Sequence, residues 1–276
     1  MKIDVALQVE SVDSLVAIDF LVDNVNLSKS RLKKTMNAGA VWLVREGESR
    51  RRLRRAMTDL KVGDVLQIYY DETILDQHIR PMIEVADFEW YSVWYKQAGM
   101  LSQGTDWGDQ NSVMRQVELH FKNKREVFLV HRLDREAKGL MVIAHQKRAA
   151  AALSELFREG KIKKEYRIEV LGDLRAEPEG NIELPLDEKA STTRYKLEKY
   201  NEPTNTSTLN VWIETGRKHQ IRRHFAAIGH PVMGDPAYGE GNKQRSGLML
   251  EAVALSFECP FTGEARDFTK SAIEAS

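Results

Sequence analysis

An aspartate in a charged turn is the first candidate for chemistry in this 276-residue sequence. Asp134 lies in the segment 131–136, between two apolar segments, 126–130 and 139–144, that are typical of strands. A turn between strands holds a carboxylate rigidly and leaves it accessible, which suits a nucleophile or a general base. Because aspartate is also common in turns for conformational reasons, the turn alone does not establish a catalytic role.

A second candidate is the cationic segment 215–228. Its pattern predicts a helix capped by Thr215, in which apolar residues at helical spacing face the core. These core residues are Ile221, Phe225 and Ile228. Arg222 adjoins the apolar stripe, so we expect it at the boundary of the buried face. The many cations near a helix start favour an anionic ligand, and the alternative is an exposed cationic face.

A third candidate is the basic segment 161–167, which enters a predicted strand at Tyr166. A tyrosine in a strand usually packs in the core or on the sheet. Beside a cation such as Lys164, it can also serve as a stacking platform for a nucleobase.

The charges are balanced overall but are segregated along the chain. There are 41 Lys and Arg residues and 41 Asp and Glu residues, so the net charge is zero and a globally basic nucleic-acid binder is excluded. Segments 26–62, 121–170 and 215–247 nevertheless carry net charges of +8, +6 and +4. This pattern favours local contacts with a polyanion, and the alternative is a set of solvated faces.

Several classes of protein and site are excluded. The single cysteine, Cys259, excludes an internal disulfide framework and a multi-cysteine metal site. The spacing of His219 and His224 does not match a zinc signature, so no metal is expected. The sequence has neither a secretory signal nor an apolar run long enough to cross a membrane. We therefore expect a cytoplasmic protein that does not interact with membranes.

The acidic segment 71–89 is the best candidate linker. It predicts a small module over residues 1–78 and a second domain over residues 79–276. The first module resembles the RNA-binding module of the fourth protein of the small ribosomal subunit, through segments 30–34, 39–41 and 63–65. The resemblance implies RNA contacts from Arg31, Lys34, Arg51 and Arg54.

The second domain resembles the RluA family of RNA pseudouridine synthases. The resemblance rests on segments 131–140, 216–224 and 229–239, on Lys164 with Tyr166, and on Lys96 with Gly99. It covers roughly residues 90–265, and within the family it is most similar to tRNA pseudouridine synthase C.

This resemblance implies an α+β fold with a mixed, largely antiparallel central sheet, and an isomerisation of uridine to pseudouridine without a cofactor. Asp134 corresponds to the catalytic aspartate, which either attacks the anomeric carbon or removes a ribose proton. Arg222 corresponds to the arginine that pairs with it, and Tyr166 would stack on the uracil. Arg132 would fill the gap left by the flipped base.

The expected partner is structured RNA, either tRNA or rRNA, bound by a monomer, and no DNA partner is expected. The catalytic domain would contact it through His131, Arg132, Lys138, Lys164, Arg217, Lys218 and His219. The chain departs from the family pattern at Ala137, Lys138 and Glu251, which leaves the choice of RNA open. A non-catalytic RNA-binding or ribosome-associated factor is the alternative function.

Overall fold

The computed structural model describes residues 1–78 and 81–271. The chain divides into two compact units, each made of two segments. The first unit comprises Met1–Arg80 and Gln103–Asn123, and the second comprises Pro81–Ser102 and Lys124–Ser276. The predicted boundary between residues 78 and 79 adjoins residues 79–80, which lie outside the described residues. The segment Gln103–Asn123 belongs to the first unit. The sequence prediction used a single boundary and therefore placed this segment in the second domain.

The first unit contains a small antiparallel sheet and four helices. Its strands are β1 (Lys2–Gln8), β2 (Val41–Val44), β3 (Arg51–Arg52) and β4 (Val65–Asp71). They lie in the order β1-β4-β2-β3. Its helices are α1 (Ala17–Asn24), α2 (Lys29–Asn37), α3 (Glu72–Leu75) and α4 (Val113–His120).

One face of this sheet forms the core of the first unit. Alternate residues of β4 are buried, as the period-two pattern of a strand requires. They pack with apolar residues of α1 and α2, among them Phe20, Leu21, Leu32 and Met36. Ser28 accepts a hydrogen bond from the Arg31 N–H at 3.3 Å and caps α2.

The second unit is built on a ten-stranded sheet. Its strands are β5 (Ile83–Asp87), β6 (Tyr91–Lys96), β7 (Phe128–Leu129), β8 (Lys138–Ala144), β9 (Lys163–Leu171), β10 (Glu179–Ile182), β11 (Thr193–Asn201), β12 (Thr206–Ile213), β13 (Leu250–Glu258) and β14 (Ala265–Thr269). Its helical elements are α5 (Lys147–Arg158), α6 (Gln220–Ala227) and a short 3₁₀ helix, Glu202–Thr204.

The strands of this sheet lie in the order β10-β11-β12-β9-β13-β8-β6-β5. In addition, β14 pairs with β13, and β7 pairs with β8. The contact between β13 and β8 is parallel, and the other described pairings in this sheet are antiparallel. The predicted fold class, α+β with a mixed and largely antiparallel sheet, is confirmed.

The parallel contact between β8 and β13 requires a glycine. Gly139 has a φ of +126°, a conformation that side chains rarely adopt, and a Cβ there would overlap the Ala252 backbone. Because Ala252 also pairs with Tyr166 of β9, this close approach brings the start of β8 near β9.

Two details of the sequence prediction are wrong in this unit. The strand predicted over residues 126–130 is shortened to Phe128–Leu129. The predicted helix starts at Gln220 instead of after Thr215, because His219 adopts a left-handed conformation with a φ of 53°. The Thr215 hydroxyl donates to the Gln220 Oε1 atom and caps no backbone N–H.

The buried face of α6 also differs from the predicted stripe. Ile221 and Phe225 are buried as expected, but Ile228 is exposed at the end of the helix. Arg222 is fully enclosed instead of lying at the boundary, with a side chain only 2% exposed. A guanidinium that is buried to this extent requires anionic partners inside the protein.

Candidate active site

Asp134 lies on the turn between β7 and β8, with its side chain 23% exposed. The turn is anchored at Leu133, whose backbone N–H and carbonyl both hydrogen-bond to the buried Ser102 hydroxyl, at 3.1 and 2.6 Å. The Ala137 N–H donates to the Asp134 carbonyl at 3.2 Å. The backbone of the turn is therefore fixed while the carboxylate remains accessible.

Lys96 holds the other side of this turn. Its ammonium is fully buried and donates to the carbonyls of Ala137 at 2.6 Å, Arg135 at 3.2 Å and Gln97 at 3.1 Å. Burial lowers the pKa of Lys96 to about 7, and Glu136 and Asp134 oppose this shift by Coulomb attraction. The sequence singled out Lys96 as part of a motif but assigned it no role.

Arg222 connects two aspartates. Its Nη1 atom donates to the Asp134 Oδ2 atom at 3.0 Å. Its Nε and Nη2 atoms donate to the two oxygens of Asp235 at 2.8 and 2.7 Å. Despite its burial, the pKa of Arg222 is raised above its usual range by these two carboxylates. The structure thus brings together the predicted pair, Asp134 and Arg222, and adds Asp235.

Tyr166 lies on β9 beside the same site. The residue is only 6% exposed, and burial together with the nearby Asp134 charge raises the pKa of its hydroxyl well above its usual range. The phenol is therefore neutral at physiological pH, and it can act as a stacking ring or a hydrogen-bonding group.

These residues line a cavity of about 570 Å³. Asp134, Tyr166 and Arg222 form part of its wall, together with apolar side chains such as Leu133 and Ile213. This size, with a few convergent polar groups on an apolar wall, is typical of a site for a small molecule or a single nucleotide.

Four of the predicted RNA-binding cations also line this cavity: Arg132, Lys164, Arg217 and Lys218. Arg132 and Lys218 are exposed, whereas Arg217 donates to the Ala190 carbonyl through its Nε and Nη2 atoms. Burial lowers the pKa of Lys164. The cavity therefore combines one carboxylate at the reactive position with a cationic lining.

His131 also lines the cavity, and it has two further contacts inside the protein. Its Nε2 atom accepts a hydrogen bond from the Val142 N–H at 2.9 Å, and its ring stacks on Phe157 with centroids 4.3 Å apart. Burial lowers the pKa of His131 to about 3, so the ring is neutral at physiological pH. These two contacts attach the start of the turn to β8 and to α5.

Lys138 and His219 also have specific protein contacts. Lys138 forms an ion pair with the buried Glu251 at 3.4 Å, so two of the three departures from the family pattern contact each other. His219 lines the cavity, with its Nδ1 atom 2.9 Å from the Tyr238 hydroxyl and its Nε2 atom 3.8 Å from the Asp134 Oδ1 atom.

The four RNA-binding residues predicted in the first unit all have acidic partners. Arg31 and Lys34 contact Asp76, and Arg31 also contacts Glu72. The remaining two pairs are Arg51 with Glu48 and Arg54 with Asp109. Glu72, Asp76 and Asp109 lie outside segment 26–62 and offset part of its positive charge, whereas Glu48 is already counted in its net charge of +8.

Asp235 is the main functional candidate that sequence reasoning missed. It lies in segment 229–239, which carried the resemblance, but nothing local indicated that its side chain would meet Arg222. The burial of the Arg222 guanidinium, which would have called for a second carboxylate, became apparent only in the structure.

Within the described ranges 1–78 and 81–271, no group of three or more histidine, cysteine or acidic side chains has the arrangement of a metal site. The described helices are also too short or too polar to cross a membrane.

Comparison with known proteins identifies a family. The family model for RNA pseudouridylate synthase matches residues 90–227. The chain is 37% identical over 155 residues to the dual-specificity RNA pseudouridine synthase RluA of Vibrio parahaemolyticus, covering 49% of this chain and 62% of the relative. It is 32% identical over 200 residues to the tRNA pseudouridine synthase C of Haemophilus ducreyi, covering 60% of this chain and 81% of the relative.

Among solved structures, human RNA pseudouridylate synthase domain containing 1 matches with a TM-score of 0.60 and 21% identity. The match covers 70% of this chain and 84% of that protein. At this identity the likeness concerns the fold, and it agrees with the mixed sheet of the second unit. The predicted resemblance to the RluA-type family is confirmed.

Proposed function

This chain belongs to the RNA pseudouridylate synthase family, and from that premise we propose that it isomerises specific uridines of tRNA or rRNA with Asp134 as the catalytic carboxylate. The observation that carries the proposal is the contact of 3.0 Å between the Asp134 Oδ2 atom and the Arg222 Nη1 atom, in a cavity that Tyr166 also lines.

The reaction is an internal rearrangement that needs no oxidant or reductant. The bond between uracil N1 and ribose C1′ breaks, the uracil turns, and a bond forms between C5 and C1′. The proton on C5 leaves, and N1 takes up a proton. Asp134 acts either by attacking C1′ or by removing a ribose proton, and both routes need an ionised carboxylate. Arg222 stabilises that form through a charge-assisted hydrogen bond.

Access of the uridine to Asp134 requires it to leave the base stack. Unstacking costs a few kcal/mol, and the Tyr166 ring offsets part of this cost by stacking on the uracil. The exposed Arg132 fills the vacated space in the RNA. The cations that line the cavity, Lys164, Arg217 and Lys218, hold the neighbouring phosphates.

The test measures tritium release from RNA that contains 5-tritiated uridine, because loss of the C5 proton is part of the rearrangement. Transcripts of tRNAs and of rRNA domains are offered separately, and the target uridine is then mapped in RNA from cells that lack the protein. The similarity to tRNA pseudouridine synthase C supports the tRNA arm.

Asp134→Asn should abolish release, because the amide has no ionised oxygen, and it should leave RNA affinity within about twofold, since the side chain keeps its size and shape. Asp173→Asn is the matched control, because Asp173 is also paired with an arginine but lies on the exposed surface. Wild-type release from Asp134→Asn would refute the catalytic assignment.

A further inference from the structure

We propose that the turn at residues 235–238 positions both groups that face Asp134: Asp235 orients Arg222 toward Oδ2, and Tyr238 orients His219 toward Oδ1. This inference rests on the proposed catalytic role of Asp134. It assigns two positioning residues, Asp235 and Tyr238, that do not themselves contact the reacting atoms.

The first half of the proposal concerns the ion pair between Asp235 and Arg222. The Asp235 carboxylate is completely enclosed, with its side chain 0% exposed, and it accepts from both Nε and Nη2 of the guanidinium. Two parallel hydrogen bonds fix the plane of a guanidinium as well as its position. Since that plane is fixed, the remaining edge, Nη1, has a defined direction, and it points at Asp134.

Asp235 also changes the charge balance around Asp134. Arg222 alone would neutralise Asp134, and the carboxylate would then lose much of its strength as a nucleophile or base. With Asp235 present, the buried cation is shared by Asp134 and Asp235, and the Glu136 Oε2 atom also lies 3.9 Å from Nη1, so these four groups together carry a charge of −2. Asp134 is thereby oriented by the arginine without being fully neutralised by it.

The second half of the proposal concerns the hydrogen bond between Tyr238 and His219. Burial lowers the pKa of His219, so the ring is neutral at pH 7 and only one of its nitrogens carries a proton. When the Tyr238 hydroxyl donates to Nδ1, the proton is placed on Nε2. That N–H faces the Asp134 Oδ1 atom at 3.8 Å, where its dipole favours the ionised carboxylate.

The turn that carries these two residues is held from inside the protein. The Asp235 Oδ1 atom accepts from the backbone N–H groups of Ala237 and Tyr238, at 2.9 and 3.2 Å. The buried Asn242 amide donates to the carbonyls of Val232 and Tyr238, at 2.8 and 2.9 Å. Both positioning residues therefore have supports that do not depend on bound RNA.

The first experiment compares Asp235→Asn with the exposed control Asp173→Asn. It measures single-turnover pseudouridine formation on the RNA from which the wild type releases tritium. Asp235→Asn should lower the rate constant about 10- to 100-fold, the range expected for a charge-assisted hydrogen bond. The RNA dissociation constant should stay within about twofold, and Asp173→Asn should match the wild type in both quantities. A loss confined to RNA affinity, or a wild-type rate constant, would overturn the role of Asp235.

The second experiment uses Tyr238→Phe, which removes one hydroxyl and keeps the ring. Nitrogen-15 spectra of the histidines should show His219 protonated on Nε2 in the wild type and a mixture of the two tautomers in Tyr238→Phe. The single-turnover rate constant should fall about three- to tenfold. An Nδ1-protonated His219 in the wild type would refute this half of the proposal, whatever the activity of the variant.

These outcomes are separable from failure of the proposed function. If the wild type releases no tritium from any RNA, the proposed function fails, while the tautomer of His219 still tests the geometry. If the wild type is active, and Asp235→Asn and Tyr238→Phe both have the wild-type rate constant, only the positioning role fails. Should Asp235→Asn not fold, Asp235→Glu, which keeps the charge and displaces the carboxylate, replaces it in the first experiment, and a wild-type rate constant in that variant would overturn the role of Asp235.

Discussion

The Lys96 ammonium donates to the Ala137 carbonyl at 2.6 Å and so joins the end of β6 to the turn that carries Asp134. The same ammonium also holds the Arg135 carbonyl. A fully buried lysine is costly unless its charge is compensated. Here the compensation comes from backbone oxygens and from the negative charges of Asp134 and Glu136.

The first prediction concerns the pH dependence of stability. The pKa of Lys96 is about 7 in the folded protein, against an ordinary value of 10.5 that applies to the unfolded chain. Between these values the unfolded chain holds a proton that the folded protein has lost. The free energy of unfolding should therefore rise with pH in this interval, by about 1.4 kcal/mol per pH unit from this group.

Urea unfolding of the wild type and of Lys96→Met between pH 7.5 and 9.5 measures this contribution as the difference between their slopes. The variant should lack the Lys96 contribution and show a flatter dependence. Lys163→Met serves as the control because the Lys163 side chain is exposed. Parallel slopes for the wild type and Lys96→Met would show that the buried group does not titrate in this interval.

The second prediction tests the shape of the cation next to Asp134. Arg222→Lys keeps the charge, but one ammonium cannot occupy the three positions that join Asp134 and Asp235. The turnover number should fall about 10- to 100-fold, with little change in the KM for RNA. The neighbouring Arg223→Lys is the control, since Arg223 pairs with the exposed Asp187. Equal losses in both variants would indicate a general effect on the helix.

The motifs in the sequence were sufficient to select three side chains that lie close together in the structure. Asp134, Tyr166 and Arg222 belong to motifs whose order and spacing carry the family resemblance, and the structure places all three on one cavity. Asp235 was not predicted as a partner, because its contact with Arg222 depends on how the turn after α6 folds back onto that helix. Composition and periodicity contain no information about how a turn packs against the helix that precedes it.

Long-range ion pairs account for the largest differences between expectation and structure. Segment 26–62 was expected to present a cationic surface, but acidic residues distant in sequence, such as Asp76 and Asp109, neutralise several of its cations. The placement of Gln103–Asn123 in the first unit has the same origin. Its contacts include the pair between Arg54 and Asp109 and a hydrogen bond from the Asp109 N–H to the Ala38 carbonyl. Neither contact has a local sequence signal.

The third prediction separates the ring of Tyr166 from its hydroxyl. Tyr166→Phe should bind RNA like the wild type, because the stacking surface is kept, but it should turn over more slowly if the hydroxyl assists a proton transfer. Tyr166→Ala should in addition weaken binding about 10- to 100-fold, the value of one stacked base. Tyr195→Phe is the control, because Tyr195 of β11 is a buried tyrosine that packs against Phe225 of α6. Unchanged affinity in Tyr166→Ala would exclude stacking on the uracil.

Four of the five arginines of segment 50–55 divide into two groups. Arg52 and Arg54 are largely buried, and both pair with Asp109. Arg51 and Arg55 are exposed, and Arg51 lies 3.8 Å from Glu48. If this unit contacts RNA, phosphates are accessible to the second group, and the first group serves mainly to hold the unit together.

The fourth prediction is that the double variant Arg51→Gln and Arg55→Gln weakens RNA binding and flattens its dependence on salt. Each phosphate contact that is lost should reduce the slope of log K against log salt by about 0.7 to 0.9, while urea unfolding should stay unchanged.

Arg54→Gln should instead lower the free energy of unfolding by about 1–3 kcal/mol, because Asp109 loses a partner in a half-buried site. Binding titrations at several salt concentrations, together with urea unfolding of each variant, distinguish the two groups. An unchanged salt slope in the double variant would mean that these exposed arginines form a solvated face, and RNA recognition would then rest on the cations that line the Asp134 cavity.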